Sequence, residues 1–200
     1  MAQSDRNYHK APAVVAGLDT LQGLQTARIL ARHQIPVIGV VKNPSNFYGH
    51  TGVCQQIVHA NTKSDELIGA LESLGSDLDE KAVLFPCTDM TVLTVTRHMD
   101  RLKPYYHLML PDPEIVEMLL DKYTFYDYAQ REGFAVPKTV FVLGPADIEK
   151  AVSTLDYPIV LKPAVKTPKW EQYAASSAYK VADETELREV YRQCAGWADI

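Results

Sequence analysis

Cysteine is scarce. The 200-residue sequence holds three, Cys54, Cys87 and Cys194, far apart and without Cys-x-x-Cys spacing. That count argues against a disulfide framework and against a zinc site, and it fits a reducing cytosol. The six histidines (His9, His33, His50, His59, His98 and His107) show no paired metal spacing. No apolar run approaches the roughly 20 residues that span a bilayer. The polar stretch up to Pro12 carries Asp5, Arg6 and Lys10 and lacks the apolar core of a signal peptide. We therefore expect a soluble cytoplasmic protein with a disordered leader over residues 1–11. An excess of positive charge is missing too: the formal net charge is −5. A general nucleic-acid binder needs a concentrated basic surface, so that class is disfavoured, while a single cationic cleft is not.

Several catalytic signatures are also absent. The first candidate turn offers Gly17 and then Gly23, not Gly-x-Gly-x-x-Gly, so a dinucleotide fingerprint is missing. There is no Gly-Lys-Ser/Thr phosphate loop and no Gly-x-Ser-x-Gly elbow. Internal repeats and low-complexity tracts are lacking as well.

What is present is an ordinary globular composition, 46 % hydrophobic and 22 % charged. Short apolar runs alternate with helical patterns. Ala-Val-Val-Ala-Gly at residues 13–17 reads as a buried strand entering a tight turn. Asp19 or Thr20 caps a helix carrying Leu24, Ala27, Leu30 and Ala31 on one face. Pro36 closes it, and residues 37–41 form the next strand. Residues 42–52 are a loop, and residues 56–59 a short strand. Ser64 and Asp65 open a helix with Leu67, Ile68, Leu71 and Leu74 on one side. Residues 82–86 form a strand, Thr88 or Asp89 starts a helix, and residues 107–110 form a fifth strand. This order predicts a Rossmann-like α/β domain with a mostly parallel sheet and helices on both faces. Such sheets bind ligands at the carboxyl ends of their strands, here near Gly17, Val41 and Thr88.

Asp112 and Pro113 signal a further helix. Asp121 and Lys122 begin or continue one through Ala129, with Gly133 placed to stop it. Residues 136–142 are extended around Pro137. Gly144 and Pro145 open a helix with Ile148, Ala151, Val152 and Leu155 inward. Residues 158–163 are a strand bracketed by prolines, and residues 179–181 another. Asp183 caps a last helix. Residues 198–200 resemble the start of one more strand.

Lys162 stands at the end of a very apolar strand. Period-two alternation puts it on the face of Val160, opposite Leu161. A lysine on the inward face of a small sheet is costly unless an anion meets it, and phosphate is a common partner. The competing reading is a terminal lysine that reaches past the strand into water. Lys122 near a helix start is by itself an ordinary surface lysine. The small-residue stretch at 174–178, with Ser176 and Ser177, is either a nest for phosphate or a surface loop. Asp89 is either a group that recognises a substrate amine or a helix cap.

Two segments carry a family resemblance. Leu-Asp-Lys-Tyr-Thr-Phe at 120–125, followed by Gly-Phe-Ala-Val-Pro-Lys-Thr at 133–139, looks like the start of an ATP-grasp domain. Tyr-Pro-Ile-Val-Leu-Lys-Pro at 157–163 arrives where that family places its second lysine. Upstream, Phe-Pro-Cys-Thr-Asp at 85–89 and the run ending at Leu110 and Pro111 are similar to the family's N-terminal domain, as in carbamoyl-phosphate synthetase and biotin carboxylase relatives. The carboxylate–amine ligases, D-aspartate ligase among them, are the nearest in character.

The resemblance implies a pre-ATP-grasp domain over residues 12–120 and the first part of an ATP-grasp domain, a small α+β lobe, over residues 121–200. It implies ATP and Mg2+ as cofactors, with Lys122 and Lys162 on the phosphates. Residues 166–180 would form a lid bringing Ser176, Ser177 and Lys180 near the nucleotide. A small carboxylate and an amine would be the substrates, met near Gly17, Thr88 and Asp89. The implied reaction phosphorylates the carboxylate and couples the acylphosphate to the amine. Catalytic residues and metal ligands are expected beyond Ile200, so the chain reads as a fragment of a longer ligase, inactive alone. The alternative is a non-catalytic small-molecule-binding or assembly module with the same fold. One departure favours that alternative: residues 166–180 contain no glycine and include Trp170, whereas family lids are often glycine-rich. The sequence is compatible with a homodimer but does not specify one.

Overall fold

A computed structural model describes residues 10–43, 45–163 and 168–195. Most of the expected leader, the first residues of the expected lid and the strand signal at 198–200 lie outside the described residues. The chain divides into two compact units, Met1–Glu117 and Met118–Ile200.

The first unit begins with β1 (Ala13–Ala16), α1 (Leu21–Arg32), β2 (Val37–Val41) and β3 (Gln56–His59). It continues with α2 (Glu66–Ser76), β4 (Ala82–Pro86), α3 (Asp89–Arg97), α4 (Met99–Leu102) and β5 (Tyr106–His107). The five strands form one parallel sheet in the order β3-β2-β1-β4-β5. β1 lies at its centre, and all four of its residues are buried. Alternate residues feed two cores. Val14 and Ala16 join Leu67, Ile68, Leu71, Val95 and Leu102 on the face of α2, α3 and α4. Val15, Val37 and Val41 join Leu18 and Ala27 on the face of α1.

The fifth strand is shorter than the sequence pattern suggests. Only Tyr106 and His107 pair with β4, opposite Ala82 and Val83. Residues 108–110 leave the ladder. Pro86 on β4 and Pro111 beyond the run have no N–H to give to one.

The turn after β1 is built tightly. Gly17 takes a left-handed φ of 91°, and its carbonyl accepts from the Thr20 hydroxyl at 2.7 Å. Thr20 caps α1 by accepting from the Gly23 N–H at 3.1 Å. The side chain of Leu18 is fully buried and fills the space above Gly39, where a Cβ would stand 2.3 Å from a Leu18 methyl. Asp19 reaches across to β2 and accepts from the N–H groups of Lys42 and Asn43 at 3.1 and 3.0 Å.

α5 (Pro113–Leu120) runs through the point where the two units divide. The second unit then holds α6 (Lys122–Arg131), α7 (Pro145–Thr154), β6 (Ile159–Leu161), α8 (Pro168–Tyr173), β7 (Tyr179–Val181) and α9 (Glu184–Cys194). β6 and β7 form an antiparallel pair. Their inner face packs Leu161 and Val181 against Ile148, Ala151, Trp170, Leu187, Val190 and Cys194. Residues 136–142 make no strand in the described structure. Among the described residues, no helix is long and apolar enough to cross a membrane. The architecture is therefore α/β: a five-stranded parallel Rossmann-like sheet followed by a small α+β lobe.

Candidate functional site

The second unit carries a cavity of about 660 Å³ that brings the two lysines together. Lys122 sits at the first position of α6, where Asp121 caps the helix by accepting from the Thr124 N–H at 2.7 Å. That hydrogen bond holds the Asp121 carboxyl below its usual range. Lys162 follows the last residue of β6. Both line the cavity, together with Lys138, Tyr126, Phe141 and Asp156. Lys138 pairs with Asp156 at 3.4 Å. The ammonium of Lys162 lies 5.6 Å from the centroid of the Tyr126 ring.

The structure corrects one expectation about Lys162. Its sheet face is not an inward one, since Val160 is 63 % exposed and Lys162 is exposed as well. The buried face is that of Leu161 and Val181. A need to neutralise a buried lysine therefore does not single Lys162 out. What does is that it lines the same cavity as Lys122.

The remaining nucleotide candidates are elsewhere. Lys180 stands opposite Val160 in the ladder, is exposed and does not line that cavity. Ser176 and Ser177 are exposed and do not line it either. The segment before them, expected as part of a lid, contains α8. Trp170 is 2 % exposed there and meets the Tyr179 ring edge-on at 5.9 Å. The Tyr179 hydroxyl accepts from the Ala175 N–H at 3.1 Å, which closes the segment on itself. Pro168 at the head of this helix, two residues before a tryptophan, is the signal that marks it. Lys138 and Tyr126 also went unread as site residues. Lys138 stood within the quoted motif, and Tyr126 lies one helical turn after Lys122.

The first unit has its own cavity, of about 920 Å³, near the carboxyl ends of β1 and β4. The strand order reverses between these two strands, which is where open α/β sheets take ligands. Thr88 and Asp89 line it with Thr20, Thr26, Lys63 and Cys87. Thr88, not Asp89, is the cap of α3: its hydroxyl accepts from the Thr91 N–H at 3.1 Å. That leaves Asp89 exposed in the first turn. Gly17 is buried and does not line the cavity. It sits against Thr88, whose methyl would stand 3.3 Å from a Cβ at residue 17. Burial pushes the Cys87 thiol up despite its contact with the Thr26 hydroxyl.

The donors present fit a polyphosphate better than a metal. Three lysines and two aromatic rings line a space whose volume is typical of a small-molecule site. Among the described residues, no group of three or more His, Cys, Asp or Glu is placed to hold a metal ion. Among the described residues Asp156 is the one carboxylate on that cavity, whereas magnesium is ordinarily held by carboxylates together with substrate phosphates and waters.

A fold of this kind places the chain among the α/β proteins that open with a Rossmann-like domain and continue into a small mixed lobe. No family model and no curated protein matches the sequence. Solved structures do match. N5-carboxyaminoimidazole ribonucleotide synthetase from Thermus thermophilus aligns with a TM-score of 0.62 at 19 % identity, over 93 % of this chain and 45 % of its own. L-amino acid ligase from Bacillus licheniformis aligns with a TM-score of 0.60 at 18 % identity, over 92 % and 41 %. Carboxyaminoimidazole ribonucleotide synthase from Aspergillus clavatus, solved with ATP, aligns with a TM-score of 0.62 at 15 % identity, over 94 % and 46 %. At these identities the likeness shows the fold alone, an α/β architecture shared with these synthetases and this ligase. The chain spans less than half the length of each of these proteins.

Proposed function

We propose that this chain is the front part of an ATP-dependent ligase that joins a carboxylate to an amine. The observation that carries this reading is the convergence of Lys122 and Lys162 on one cavity. Two cations lining one cavity suit a polyphosphate, whose charge they neutralise without any covalent enzyme intermediate. The ligases that share the fold, one of them solved with ATP, support the same reading. In this assignment residues 12–120 form the substrate domain and residues 121–200 the first part of the nucleotide domain. The carboxylate is phosphorylated, and the amine then displaces phosphate. The amine or carboxylate is met in the first unit's cavity, beside Thr88 and Asp89, with Gly17 shaping the turn behind them. Magnesium needs ligands beyond Asp156, the one carboxylate on the cavity among the described residues. The free cysteines suit a cytosolic setting.

Calorimetric titration of the chain with ATP tests this directly. A charge-assisted contact is worth about 1.5–3 kcal/mol, or roughly tenfold to a hundredfold in affinity. Lys122→Ala and Lys162→Ala are each expected to weaken ATP by such a factor and to leave adenosine binding alone. Unchanged ATP affinity in both variants sinks the reading.

A second reading has one observation behind it. The segment expected as a lid holds α8, and Trp170 ties that helix into the core. A protein that keeps the fold to bind a small molecule, without turnover, has less need of a lid that opens. Protease sensitivity that stays confined to other loops, with and without ATP, favours this second reading.

A further inference from the structure

We propose that Tyr126 is a positioning residue that holds the Lys162 ammonium at the cavity that Lys122 also lines. The inference rests on the nucleotide reading of the cavity in the second unit. Tyr126 lies four residues after Lys122 on α6, so both project from one side of that helix. The two residues and Lys162 line the same space. The Lys162 ammonium is 5.6 Å from the ring centroid of Tyr126, within the range of a cation–π contact. The ring is braced in turn: it meets Phe141 edge-on at 6.3 Å, and Phe141 meets Tyr123 at 4.6 Å.

A lysine at the end of a three-residue strand has four rotatable bonds and an exposed stem. Left alone, its head spreads over many positions. The negative face of an aromatic ring selects those near α6. The ordering cost is then met before an anion arrives, which is how preorganisation raises affinity. The part of Tyr126 that acts is the ring, not the hydroxyl.

The test uses the whole chain, with ATP and inorganic tripolyphosphate as probes. Tyr126→Phe keeps the ring and is expected to bind both as the parent does. Tyr126→Leu is expected to weaken both by between about twofold and about thirtyfold, the range of such contacts, with no loss of adenosine binding. In a Lys162→Ala background, Tyr126→Leu is expected to add nothing. A spectroscopic signature needs no variant: with lysines dimethylated, the Lys162 resonance is expected upfield of the other lysines by the ring current. If Lys162→Ala weakens ATP while Tyr126→Leu does not, Tyr126 holds nothing and this inference falls alone. If Lys162→Ala leaves ATP affinity unchanged, the nucleotide reading falls and takes this inference with it. A Lys162 resonance at the ordinary position overturns the proposal even where the leucine variant fails to fold.

Discussion

The two units solve the burial problem differently. In the first, a five-stranded sheet is buried through β1 and covered by helices on both faces, with Val14, Val15, Ala16, Leu67, Ile68 and Leu71 fully withdrawn from water. In the second, two three-residue strands share one covered face and leave Val160 open on the other. Core side chains of that unit, Ala151 and Leu187, also border its cavity. A two-stranded pair is marginal without helices against it, so this unit depends on α7, α8 and α9 for its core. The comparison teaches where rigidity and reactivity divide. The well-packed sheet has its cavity near strand ends, while the thinner lobe sets its cations beside an open cavity.

The largest expected effect separates the two cores. Trp170 is buried in the second unit's core, and the first unit has no tryptophan, so tryptophan fluorescence does not report the first unit while far-ultraviolet circular dichroism reports both. Leu71→Ala is expected to cost about 2–5 kcal/mol and to shift the dichroism transition in urea while sparing the fluorescence transition. Coincident shifts in both probes contradict the division into two units.

A smaller effect sharpens the account of the first unit. Gly39→Ala places a Cβ against the Leu18 methyl, and such overpacking costs about 1–3 kcal/mol. Combined with Leu18→Ala, the loss is expected to fall below the sum of the two single losses, read from urea midpoints. Strict additivity breaks the claim that Leu18 occupies the space Gly39 leaves.

The smallest concerns the second unit. Asp121→Ala removes the cap of α6 and is expected to cost about 1 kcal/mol at neutral pH. The folded carboxyl titrates below its unfolded value. Its contribution is therefore complete above about pH 4 and is lost as pH falls through the folded value. Parent and variant melting curves should converge in that acid range. A gap that persists there assigns the loss to something other than the ionised cap.

Much of this was legible in the sequence where the cause is local. Asp183 and Thr20 cap helices because their side chains reach an N–H three residues on, a spacing visible in the chain, although by sequence Asp19 suits the α1 cap as well. The parallel order of β1 to β4 followed from buried runs alternating with amphipathic ones. Less legible was whatever depends on partners far away. Residues 108–110 are as apolar as a strand but leave the ladder although β4 runs on to Pro86. Thr88 took the cap that Asp89 was equally suited to hold, because Thr88 is the residue in the extended conformation. The face of Lys162 follows from alternation, but alternation does not tell which face is covered. Lys138 and Tyr126 became part of a site only once α6 and β6 stood beside the same cavity.

The central claim is that Lys122 and Lys162 meet one polyphosphate. Titrating the dimethyl-lysine spectrum with ATP measures it most directly. The account predicts that the Lys122 and Lys162 resonances move together along a single binding curve, while Lys180 stays still or moves less. Movement of only one of the pair, or two curves with different half-saturation points, contradicts it.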